Sequence, residues 1–286
     1  MKLCRFTAAG SPDVRIGLIA SGRTVLDLSD AGVPRMDGLL QRPDLAEVLT
    51  RLSRQELLHH PLDSVRLLTP VESQEVWAAG VTYLRSKQAR MVESEFSATA
   101  YDRVYDAPRP EIFFKSVPEK VVSPGDAVGI RRDARWNVPE PELALVINSS
   151  AAIVGFTIGN DMSSRDIEGE NLLYLPQAKI YTGSCAAGPW IVVGHTEEDA
   201  RQWSIHLEIW RGGEQVFAGE TAAGRIKRPF SELVDYLFRS QRFPYGVVLL
   251  TGAGVVPPDS FTLEERDSVR ITISGIGTLE NPVAVV

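Results

Sequence analysis

Cysteine is nearly absent: Cys4 and Cys185 are the two in 286 residues. Standing far apart with no second pair, they build neither a disulfide framework nor a thiolate zinc cluster, and at most one long-range bridge remains open. Basic charge is short as well, with 30 Lys and Arg against 37 Asp and Glu, a net charge of -7. A sequence-independent grip on nucleic acid or on an anionic membrane needs a basic face, so neither is expected as a partner and a small molecule is. The opening Met1-Lys2-Leu3-Cys4-Arg5-Phe6 lacks the apolar segment of a signal peptide or a membrane span, and a cytoplasmic location is expected. Internal repeats, heptads and low-complexity tracts are missing too. Only four histidines occur, His59, His60, His195 and His206.

With 44% hydrophobic residues the chain can bury a sizeable core. Its apolar residues come in short runs. Strands are predicted over 3–6, 14–20 and 24–28, followed by a helix over 45–58 with Asp44 as its N-cap. Beyond a boundary placed near residue 70, runs at 76–81, 153–158, 205–210, 247–251 and 269–273 alternate with Gly and Pro, the rhythm of a β-rich unit rather than of βαβ repeats. Helical spacing interrupts it at 83–93 and 230–240. The expected organisation is therefore α+β, with a small N-terminal α/β domain over 1–70 and a β-rich domain over 71–286.

Glu140 and Glu142 stand where a strongly apolar run, Leu143-Ala144-Leu145-Val146-Ile147, begins. Side chains alternate along a strand, so both acids point the same way. Their mutual repulsion and the poor solvation behind them call for a cation, most simply a divalent metal. Asn160-Asp161 follows a second apolar run and carries a third carboxylate to a sheet edge. The bland readings are a solvated strand face for the two glutamates and a turn for Asp161; the combination favours the metal.

Residues 153–193, including Ile153-Val154-Gly155-Phe156-Thr157-Ile158-Gly159-Asn160-Asp161-Met162-Ser163-Ser164-Arg165-Asp166, Lys179 and Gly188-Pro189-Trp190, resemble the fumarylacetoacetate hydrolase family. The family's Glu-x-Glu matches Glu140-Pro141-Glu142. Leu250-Thr251-Gly252 and Gly275-Ile276-Gly277-Thr278-Leu279-Glu280-Asn281 agree with its later loops. These pieces cover roughly 76–286 in consistent order. The resemblance implies a mixed β-sandwich roll with Mg²⁺, or Mn²⁺ or Ca²⁺ in the same site, on Glu140, Glu142 and Asp161, and a homodimer or homotetramer.

One departure narrows the activity. Hydrolases of the family carry a histidine after a Gly-x-Asn-Tyr segment, and Ser86 stands at that place here. Arg109-Pro110-Glu111-Ile112-Phe113-Phe114-Lys115, Trp136 to Glu142, and Glu168-Gly169-Glu170-Asn171-Leu172-Leu173-Tyr174-Leu175-Pro176-Gln177-Ala178-Lys179 are instead similar to the family's 2-keto-3-deoxy-D-arabinonate (or D-xylonate) dehydratase branch. That resemblance implies a lyase forming 2,5-dioxopentanoate from a 2-oxo sugar acid, with Glu111 and Lys179 as catalytic residues. Glu111 is then the base for a C3 proton, or else an ordinary partner of Arg109 or Lys115. Lys179, flanked by apolar residues, offsets the charge of the acids and the substrate. Glu170 is a candidate acid for the leaving hydroxyl, Thr251 and Gly252 candidate donors to the substrate carboxylate, and Arg85 a candidate substrate contact. Asp166 is expected to order the loop and to pair with Arg165. The competing readings are a C–C hydrolase or decarboxylase of acylpyruvate-type acids, and a non-catalytic binder of 2-oxo acids or metal.

Overall fold

Strand alternation decides how this chain packs. A computed structural model describes residues 1–20, 23–84 and 103–286. Arg85, Ser86 and the helix expected over 83–93 beyond Leu84 lie outside the described residues. The N-terminal segment forms strands β1 (Lys2–Ala8), β2 (Val14–Ala20) and β3 (Thr24–Asp27), helices α1 (Met36–Leu40) and α2 (Leu45–Leu52), and strands β4 (His59–Pro61) and β5 (Val65–Leu68). There follow β6 (Glu75–Gly80), β7 (Glu111–Ser116), β8 (Val128–Ile130), β9 (Asn137–Val138), β10 (Pro141–Ile147), β11 (Ile153–Asp161) and β12 (Ser163–Ser164). Two short helices, α3 (Arg165–Glu170) and α4 (Leu175–Lys179), lead to β13 (Cys185–Val192), α5 (Glu197–Arg201), β14 (Ser204–Arg211) and β15 (Glu214–Ala222). Last come α6 (Phe230–Phe238), β16 (Val247–Leu250), β17 (Ser268–Ile273) and β18 (Gly277–Val285).

The larger sheet has 11 strands in the order β4-β3-β2-β1-β13-β11-β10-β16-β6-β7, with β5 added on β1; the second runs β15-β14-β17-β18-β8. Both are mixed, since β16–β6 and β18–β8 are parallel pairs. Leu143, Leu145 and Ile147 of β10 meet Ile205, Leu207, Ile209 and Ile271 of the second sheet in one core. The intervening Ala144 and Val146 face the opposite way, into a core with Leu40, Leu45 and Leu49 from the helices. A strand covered on both faces reads as a continuous apolar run, which is why β10 is buried at every position. Truncating Leu145 to Ala would cost about 2–5 kcal/mol at such a site.

The α+β, β-rich expectation holds, and α6 falls where helical spacing placed it. The predicted 45–58 helix stops at Leu52, because the chain turns out to reach β3, where the Leu58 carbonyl accepts the Asp27 N–H at 2.8 Å. Asp44 precedes α2 without capping it by its side chain; its carboxylate takes both arms of the Arg42 guanidinium at 2.8 Å, a charge-assisted fork stronger than one N–H. The division expected near residue 70 falls between β5 and β6. Across it, β1 pairs with β13 through Lys2–Val192 and Leu3–Ile191, so both segments contribute to one sheet.

Candidate functional site

The register of β10 on β11 builds the acidic cluster. Pro141 is opposite Asn160 and Glu142 opposite Gly159, which sets Glu140 across from Asp161, whose N–H donates to the Glu140 carbonyl at 2.9 Å. By alternation Glu142 and Asp161 share a face with Glu140. Gly159 leaves the fourth corner of this square bare: a Cβ there would lie 2.3 Å from Leu250 Cδ2. One carboxylate oxygen from each of Glu140, Glu142 and Asp161 lies within 4.8 Å of the others, and all three residues are buried. The solvated-face and turn readings therefore give way to a buried carboxylate cage at a strand end.

Three buried cations answer it. Lys179, the last residue of α4, donates from Nζ to Glu140 Oε2 at 2.8 Å, to Asp161 Oδ2 at 2.9 Å and to Ser163 Oγ. Arg165 opens α3 and donates to Glu140 Oε1 at 2.6 Å. Its expected partner Asp166 instead accepts the Arg135 N–H at 2.6 Å and the Ile167 N–H, tying the preceding loop to α3. Lys115, on β7, is fully buried and ion-pairs with Asp161 Oδ1 at 2.5 Å. That contact is close in distance but not aligned as a hydrogen bond, so Oδ1 has no aligned hydrogen-bond donor.

Glu142 is held by the Gly252 N–H. Burial first, and then the charges of Asp161 and Glu140, push its carboxyl well above the ordinary carboxylate range. A cage of hard oxygen donors, one of them pushed toward its neutral form by burial and then by its neighbours, is the donor set that a divalent cation takes. Among the described residues, Lys115, Lys179 and Arg165 are the cations that meet the cage, and Glu111 and Glu168 stand in the same wall. The residues present fit Mg²⁺.

Glu111 opens β7 opposite Gly80. A Cβ on Gly80 would sit 1.9 Å from Glu111 Oε2, so the missing side chain is what lets this carboxylate fold over the β6 backbone. Together with Glu111, Phe113, Glu168, Lys179, Gly252 and the cage acids surround a cavity of about 20 Å³, room on the order of one water molecule.

Three expectations are corrected. Glu170 is exposed at the end of α3 and does not line the cavity; the carboxylate in the wall is Glu168, 2% exposed. Positions two apart on a helix face roughly opposite ways, about 200° around the axis. The Thr251 hydroxyl donates to the Leu143 carbonyl at 2.8 Å, and its own N–H goes to the same oxygen at 3.0 Å. The chain thus continues to pair with β10 past the end of β16, which buries Thr251 and takes its proton away from any ligand. Gly252 lines the cavity, but its N–H is committed to Glu142. Lys115, considered in the sequence only as a partner of Glu111, ion-pairs with Asp161 instead, although alternation along Glu111-Ile112-Phe113-Phe114-Lys115 already puts it on the face of Glu111.

Fold and cage together define a metal-dependent enzyme. The model of the fumarylacetoacetate (FAA) hydrolase C-terminal family matches residues 75–284, and the chain belongs to that family. Among curated relatives, a probable 2-keto-3-deoxyxylonate dehydratase of Haloferax volcanii is 49% identical over 76% of this chain and 74% of its own length. The 2-dehydro-3-deoxy-D-arabinonate dehydratase of Saccharolobus solfataricus is 41% identical over 84% of this chain and 82% of its own. A solved 2-keto-3-deoxy-D-arabinonate dehydratase complexed with magnesium and 2,5-dioxopentanoate superposes with a TM-score of 0.82 at 35% identity, covering 100% of this chain and 99% of that one.

Proposed function

We propose that this protein is a Mg²⁺-dependent hydro-lyase converting a 2-keto-3-deoxy-D-pentonate, the arabinonate or xylonate derivative, to 2,5-dioxopentanoate. The observation that carries the reading is the buried Glu140, Glu142, Asp161 cage with the Lys179 ammonium set between two of its members. The dehydratase relatives and the magnesium and product complex of a full-length structural match support it.

Held by Glu140, Glu142 and Asp161, Mg²⁺ supplies Lewis acidity toward the carboxylate and C2 ketone of a 2-oxo acid. Lys179 faces the negative charge that develops on the ketone oxygen as the C3–H bond breaks, and Glu111 takes that proton. The electron pair left on C3 forms the C3–C4 double bond as the C4 hydroxyl departs. Glu168, the second carboxyl of the wall, hands it a proton, so that water leaves. Loss of a C5 proton and return of protons to carbon then give the C5 aldehyde. Residues 71–286 carry all these side chains; residues 1–70 are proposed as a small separate unit joined through the shared sheet. A cytoplasmic homodimer or homotetramer, with Mn²⁺ or Ca²⁺ able to replace Mg²⁺, completes the proposal. Among the described residues no helix is long and apolar enough to cross a membrane.

The test is product analysis. Protein incubated with 2-keto-3-deoxy-D-arabinonate or D-xylonate and Mg²⁺ is expected to form a trappable five-carbon aldehyde, and chelator is expected to stop it. Substrate left intact in the presence of metal would overturn the reading.

A further inference from the structure

Lys115 has no part in the scheme above, yet it is 0% exposed and its ammonium is fully engaged. Nζ donates to the Met162 carbonyl at 3.0 Å and to the Lys179 carbonyl at 2.5 Å, and ion-pairs with Asp161 Oδ1. Two of these three acceptors are backbone atoms. One belongs to the residue following Asp161; the other closes the helix that delivers Lys179. The last carbonyls of a helix have no partner within it and carry partial negative charge, so a buried cation there fixes where the helix stops.

Lys179 differs in kind. Among the described residues its ammonium donates to the side chains of Glu140, Asp161 and Ser163, and it lines the cavity, whereas Lys115 does not. Both lysines draw on Asp161, one through each carboxylate oxygen. The entry of a divalent cation therefore competes with more of the contacts of Lys179 than of Lys115. Lys179 donates to two cage carboxylates; Lys115, beside its one contact to Asp161, is anchored by two backbone carbonyls.

From this asymmetry we propose that Lys115 is a positioning residue, a fixed cation that ties the Asp161 end of β11 to the C-terminus of α4 and so sets the distance between a metal ligand and the Lys179 ammonium. Lys179 yields as the metal enters, and Lys115 stays. The inference presupposes the metal site but not the choice of substrate.

Charge and position predict opposite signs, which makes the idea testable with Mn²⁺ alone. Removing a cation beside a carboxylate ligand tightens divalent binding if only charge matters. Removing an anchor loosens it. Titration of metal-free protein with Mn²⁺ is expected to give a Kd at least about tenfold weaker for Lys115→Met and unchanged or tighter for Lys179→Met, with both variants folded by circular dichroism. Binding as tight as the parent's, or tighter, in Lys115→Met would overturn the proposal. Should that variant not fold, a crystal structure of the unaltered protein with Mn²⁺ decides. Lys115 Nζ is expected to stay on the Met162 and Lys179 carbonyls while Lys179 Nζ leaves at least one of Glu140 and Asp161; the reverse pattern would refute it. Neither readout involves substrate, so a parent protein that binds Mn²⁺ this way without dehydrating a pentonate would sink the functional reading and leave this one standing.

Discussion

Glu140 and Asp161 are bound to each other twice, once through backbone and once through a shared cation. The Asp161 N–H donates to the Glu140 carbonyl at 2.9 Å, and the Lys179 ammonium bridges their carboxylates at 2.8 and 2.9 Å. Glu142, diagonal to Asp161, receives an amide N–H in place of such a bridge. Burial and the neighbouring charges hold its carboxyl well above the ordinary carboxylate range.

That difference has a thermodynamic sign. A carboxyl whose folded pKa lies above its unfolded value contributes stability while protonated and loses it as pH rises above the ordinary value of 4.5. Without metal, Glu142→Gln should be more stable than the parent by an increment that vanishes in acid and grows with rising pH to about 1–2 kcal/mol, a few degrees in Tm. Mg²⁺ should reverse the order, because ligand binding stabilises only the protein that retains the site. Thermal melts with chelator and with Mg²⁺ across this pH range check both halves; a variant less stable than the parent under chelator contradicts the account.

Glu111→Gln keeps the shape of the side chain and removes the base. The expected outcome is a fall in kcat of about 10²- to 10⁴-fold, with Mn²⁺ affinity within about threefold of the parent. Retained turnover removes Glu111 from the chemistry.

Gly80→Ala tests the same carboxylate from across the strand pair. The new methyl group would overlap Glu111 Oε2 at 1.9 Å, forcing the carboxylate aside without touching the cage. A loss of about 10- to 100-fold in kcat is expected, with metal binding preserved. Steady-state kinetics beside a Mn²⁺ titration separate the two, and unchanged kcat would show that the position of Glu111 is immaterial.

What could be read from the chain alone was what depends on near neighbours. The apolar run after Glu142 announces a strand buried on both faces, and the period of two along it aims Glu140 and Glu142 together. The Asn160-Asp161 pair at the end of a similar run places the third acid. Other features depend on residues distant in sequence. Arg165 chooses Glu140 over adjacent Asp166 because β10 passes beside the start of α3. The Thr251 hydroxyl is taken by Leu143, and β1 joins β13, Lys2 beside Val192. Glu168 rather than Glu170 lines the cavity, and so short a helix gives too few turns for the sequence to mark its buried face. Lys115 meets Asp161 because β7 runs beside the cage, which nothing local to it in the sequence announces.

The central claim is that one divalent ion is bound by Glu140, Glu142 and Asp161. Its most direct measurement is a Mn²⁺ titration of chelator-treated protein, followed by electron paramagnetic resonance, for the parent and for Asp161→Ala. One saturable ion per chain in the parent, lost in the variant, is the predicted result. Absence of saturable binding in the parent, or binding unaffected by the loss of Asp161, would contradict it.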